Sequence, residues 1–155
     1  MRFLATLCRD SGGVSALEFA IAAPFVFVLV LGTVELAVDM MIDATVQMAA
    51  QSASRVGLTT TAPASGTREA HAKQIVTNIM RGWTGMPGTT LSFTELDYGT
   101  YNAVGSASYT AGSGSLGDVV SYNITLTTPG ITGIPQLFGI SLLTFQRNYI
   151  VQNEK

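Results

Sequence analysis

The stretch that decides the fold is Arg9–Leu36, "RDSGGVSALEFAIAAPFVFVLVLGTVEL". From Phe19 to Val34 it holds no charged side chain, and continuing across Glu35 to Val38 gives an apolar helix of about 30 Å, the thickness of a bilayer core. Two features look misplaced. Glu18 stands at the edge of the apolar run, where a carboxylate costs up to about 2.5–3.5 kcal/mol if held charged at the bilayer centre and less near an end. Gly12 and Gly13 precede it, a weak opening for a helix.

One cut accounts for both. Cleavage after Gly13 makes Val14 a new N-terminus, whose amine is protonated at neutral pH because its reference pKa is about 7.7–8.0. Val14 and Glu18 are then i and i+4 on one helix face, and the helix N-terminus favours an anion there. The freed amine offsets the carboxylate in its own helix or in an adjacent one, where the pairing sets the register between subunits.

Arg2 and Arg9 lie before the apolar run, whereas Glu35, Asp39 and Asp43 follow it. By the positive-inside rule, residues 1–13 form a cytoplasmic leader, 14–38 a transmembrane helix and 39–155 an extracytoplasmic domain. A conventional secretory signal is a poorer fit, because Glu35-Leu36-Ala37 puts a glutamate where a small residue is needed.

Composition agrees with a membrane protein. Charged residues make up 12% of the 155-residue chain, against roughly 25% in soluble domains. The net charge is −2 and the basic residues are scattered, which argues against nucleic acid as a partner. Cys8 is the only cysteine and His71 the only histidine, so neither a disulfide nor a Cys/His metal site is expected. With no Gly-rich phosphate loop and no nucleophile elbow, we expect no enzymatic activity, no catalytic residues and no cofactor.

Past Val38 the helical period continues through "DMMIDATVQMAAQSASRVG", predicting one helix from about Val14 to Val56, kinked near Pro24, with Met40, Met41 and Met48 as flexible core filler. Gly57 to Thr67 reads as a loop, and Arg68 to about Gly82 as a second, amphipathic helix capped by Thr67, with Ala72, Ile75, Val76, Ile79, Met80 and Trp83 in its apolar stripe.

From Thr90 the period becomes two. "TLSFTELDY" changes face near Glu95, predicting a bulge or a register break, and "YNAVGSASY" reads as a weak partner strand. Thr110 to Asp118 reads as a mobile loop. "VVSYNITLT" is the strongest strand, and the last places Leu143, Phe145, Tyr149 and Val151 on one side, interrupted by Arg147. The predicted class is α+β: a long N-terminal transmembrane helix extending outside the membrane, a short amphipathic helix and a small three- to four-stranded antiparallel sheet.

The residues also carry a resemblance. "GG" followed by "VSALEF" is similar to the processing site of type IV prepilins and pseudopilins. The wider run Gly12–Arg55, with its Glu-Phe-Ala start, Pro24, Gly32-x-x-Glu35 and Ala-rich close on Arg55, resembles the TadE-like minor pilins of the tight-adherence (Tad) pilus system. Gly117 to Lys155 resembles that family's C-terminal end. The resemblance implies processing and assembly through Gly13, Val14, Glu18 and Phe19, a prepilin peptidase, other pilin subunits and inner-membrane assembly machinery as partners, and a role in adhesion and surface colonisation. It implies a single-pass protein of the bacterial inner membrane with its N-terminus cytoplasmic. A second reading stays open: an uncut single-pass envelope protein whose outer domain binds a partner or the cell wall.

Overall fold

The computed structural model describes residues 11–58 and 65–154. Arg2, Cys8 and Arg9, with the rest of 1–10, and the 59–64 part of the expected loop lie outside the described residues. Helix α1, Ser11–Leu58, has 48 residues and is about 72 Å long at 1.5 Å per residue. It starts before the two glycines and runs unbroken through Pro24. A proline removes one hydrogen bond but need not end a helix held by many others.

The outer part of α1 buries one stripe, Ile42, Val46, Ala49, Ala50 and Ala53. The alanines leave room for α2, Arg68–Thr84, whose Ala72, Val76 and Met80 are buried in the same core. Thr67 caps α2, its Oγ1 accepting from the Ala70 amide at 3.1 Å. Met40, Met41 and Met48 are exposed, a correction to their expected place in the core. The buried stripe takes a different face of α1, so these three point away from α2 and the sheet.

Four strands form one antiparallel sheet in the order β2-β1-β3-β4: β1 Thr90–Asp97, β2 Thr110–Ala111, β3 Val119–Thr128 and β4 Leu143–Gln152. The alternation in β3 holds, with Val120, Tyr122, Ile124 and Leu126 in the core against α1 and α2. Burying each such side chain contributes about 1.5–3 kcal/mol. The fold is therefore α+β, with one face of a sheet covered by two helices.

Three local expectations are corrected. β1 has no bulge: its pairing runs without a break from Thr90↔Thr127 to Asp97↔Val120. Glu95 simply follows Leu91 and Phe93 on the inner face and is buried. The segment "YNAVGSASY" is a 3-10 turn, Tyr101–Ala103, followed by loop, and only Thr110–Ala111 pairs with β1.

The third is the Thr110–Asp118 segment, which is pinned: Asn153 Nδ2 donates to the carbonyls of Ser113 and Ser115, each at 2.8 Å, and the Ser115 amide donates to Asp118 at 2.6 Å. Its glycines serve a tight path rather than mobility, Gly114 having φ +61° with Asp97 packed where a Cβ would stand.

Candidate functional site

Helix α1 is the candidate site, and among the described residues its inner part is exposed. Its most apolar stretch is entirely unburied, and among the described residues it is the one helix long and apolar enough to cross a membrane. In water so large an apolar surface would be a severe liability; in a bilayer, or packed among other helices, it is an asset. Val14, Glu18 and Phe19 all lie on this part and are exposed. Gly13 and Val14 sit within the continuous helix rather than at its start. The chain thus brings these four residues to one end of one rod, where Val14, Glu18 and Phe19 bury against no other described residue.

A second group of residues, at the outer end of the apolar run, was not singled out from sequence as a contact. Glu35 is only 5% exposed. Its carboxylate accepts from the amides of Ile131 at 2.9 Å and Thr132 at 2.7 Å, and from the Thr132 hydroxyl at 2.6 Å. The loop that supplies these donors joins β3 to β4 and contains a four-residue helix, α3, Ile134–Leu137. Such charge-assisted bonds are the strong ones, about 1.5–3 kcal/mol each. Gly130 lets the loop close over the acid: a Cβ there would lie 2.8 Å from Glu35 Oε1 and 2.6 Å from Pro135 Cγ. The available signal was a lone acid ending an apolar run, in a chain whose 129–146 segment has no charge of its own.

Between α1 and this loop runs an apolar groove of about 460 Å³, walled by Val28, Leu29 and Leu36 on one side and Pro135, Phe138 and Ile140 on the other. Two turns beyond Glu35, Asp43 forms an ion pair with Arg147, which explains why an arginine interrupts the apolar face of β4.

A further buried polar group is inside the domain. Glu95 accepts from the Ser113 hydroxyl, and Arg68 donates to the Gly114 carbonyl. Arg68 Nη1, Glu95 Oε1, Tyr122 Oη and Asn153 Oδ1 are buried with no hydrogen-bond partner among the described residues. Burial holds the Glu95 carboxyl above its ordinary value of 4.5, against the lowering effect of the Ser113 bond, and with a smaller push from the Glu69 charge. Tyr122 is pushed up to about 12, by burial first and the Glu95 charge second. His71 is exposed on α2, and among the described residues no group of three His, Cys, Asp or Glu side chains is placed to hold a metal ion.

No curated protein and no solved structure matches the chain. A family model does match, over α1 alone, from the second glycine to Arg55; α2, the sheet and the C-terminal resemblance fall outside it. That model is described as TadE-like protein, and what this chain shares with it is residues 13–55, the long apolar helix with Glu18 near its start.

Proposed function

We propose that the chain is a minor pilin of a tight-adherence pilus, taking part in assembly or priming of the filament and hence in adhesion and surface colonisation. The observation that carries this reading is an unburied apolar helix, bearing a single acid near its inner end, within the segment that the TadE-like model covers. In this reading a prepilin peptidase cuts after Gly13. The freed Val14 amine pairs with Glu18 of its own or a neighbouring helix, and Phe19 to Val34 packs among other pilin helices while the α+β domain stands outside the inner membrane. The chain acts by packing and carries out no catalysis.

The test is the intact mass of protein extracted from native membranes. Loss of residues 1–13, leaving Val14 first, supports the reading; a chain beginning at Met1 overturns the processing step. The unbroken helix across Gly13–Val14 favours the second reading, an uncut single-pass envelope protein whose outer domain binds a partner, because a protease must first unwind a helical site.

A further inference from the structure

The groove beside α1 has a loop as its outer wall, and that loop is apolar where it faces outward: Leu137 is 72% and Phe138 71% exposed, with Ile140 and Leu142 also open. From Pro129 to Gln146 there is no charged residue. The loop is also low on the rod, since the groove's helix wall begins at Val28, ten residues before Val38.

Membrane thickness then decides its surroundings. If the bilayer ended below the loop, the span from Val14 to Val28 would measure about 21 Å, well short of the roughly 30 Å of a hydrocarbon core. Reaching the full thickness carries the span to about Glu35 or beyond, and the loop lies beside that part of the helix. Lipid admits irregular backbone only where its polar groups are satisfied within the protein. Much of this loop meets that condition on its amide side: Ile131 and Thr132 donate to Glu35, Ile134 donates to the Thr132 hydroxyl, and Leu137 to Ile140 donate to carbonyls of residues 133–136.

We propose that the 130–142 loop is a second lipid-contacting element, immersed beside α1 in the leaflet on the domain side, with Leu137, Phe138, Ile140 and Leu142 in the acyl region. Glu35 is its anchor: the acid holds the loop to the helix, and the loop keeps the acid out of lipid. The occupant is the bilayer rather than another protein because the patch is continuous with the apolar face of α1, lies at bilayer depth and offers no charge to a partner. The inference rests on the membrane insertion of α1, and the experiment separates the two.

The full chain, in a Cys8→Ser background, receives one cysteine at a time by Val26→Cys, Phe138→Cys or Met48→Cys, all at exposed positions. Each is labelled with an environment-sensitive fluorophore and reconstituted in vesicles of phosphatidylethanolamine and phosphatidylglycerol carrying spin-labelled acyl chains. The expected result is loss of fluorescence at residues 26 and 138 and none at residue 48, with residue 138 favouring the shallow spin label and residue 26 the deep one. Quenching at residue 26 alone overturns the loop's immersion and leaves the helix insertion standing. A blue-shifted but unquenched label at residue 138 assigns the patch to a protein neighbour and overturns it too. No quenching at residue 26 removes the membrane reading itself, and the proposal with it.

Discussion

Glu35 and Thr132 stand 97 positions apart in the chain, yet the carboxylate of one takes both the amide, at 2.7 Å, and the hydroxyl, at 2.6 Å, of the other. With the Ile131 amide, the contact ties the domain to the rod. Glu35→Ala leaves those donors without their acceptor, and we expect a local loss of at least about 2 kcal/mol. The readout is amide hydrogen exchange at Ile131 and Thr132, which should accelerate by roughly 30-fold; unchanged protection would show that the loop is held by other means.

Gly130 offers an independent route to the same contact. The Cβ of Gly130→Ala would overlap both Glu35 and Pro135, so the loop must shift off the acid. Its exchange pattern should reproduce that of Glu35→Ala, and the double variant should be much less than additive because both break one contact. Additive effects would separate the two residues.

The Asp43–Arg147 ion pair should matter far less. Its side chains are 37% and 40% exposed, so water screens most of the attraction. Arg147→Ala is expected to lower stability to denaturant by under about 1 kcal/mol, with the difference shrinking as salt is raised. A larger, salt-independent loss would assign Arg147 a packing role instead.

Glu95 sets a pH dependence of definite sign. Its folded-state pKa is raised, so the folded chain holds its proton more tightly than the unfolded chain does. Stability from this group is therefore complete below about pH 4.5 and is lost as pH rises through the folded value. Glu95→Gln should flatten that decline and raise stability at neutral pH, measured by denaturant titration across pH 4–8. A variant less stable at pH 7 than the parent chain would mean that the Glu95 charge is held by the cluster rather than opposed by burial.

Glu18→Ala tests the assembly reading. The acid is exposed and pairs with no other described residue, so on that reading the variant should fold and insert, be cut after Gly13, and fail to enter assemblies. Co-purification with the other pilin subunits is the measurement; normal recovery would remove the amine–carboxylate pairing.

Much of this architecture is legible in the residues because it depends on local period. The apolar run marks α1, the stripe from Ala72 to Trp83 marks α2, and the strict alternation from Val120 to Leu126 marks β3. What period does not show is which polar residue is taken inward by distant partners. Glu95 reads as a break in β1 because its compensation, Ser113 and the Arg68 charge, comes from other elements. The 110–118 segment reads as mobile because Asn153, the residue that pins it, is far along the chain. Met40, Met41 and Met48 read as core because a helix that is apolar on every side does not announce which side its own domain will take. At the candidate site, Glu18 and its neighbours were visible as a motif, whereas the Glu35 contact needed the third dimension.

The distance in sequence between Glu35 and its donors also imposes an order of events during biosynthesis. The ribosome delivers the acid 96 residues before Ile131, so in a membrane-inserted chain it enters the bilayer naked, and its escort arrives only when β3 has been made and the hairpin to β4 turns. In such a chain the joint between rod and domain therefore cannot close until residues 131 and 132 have been made.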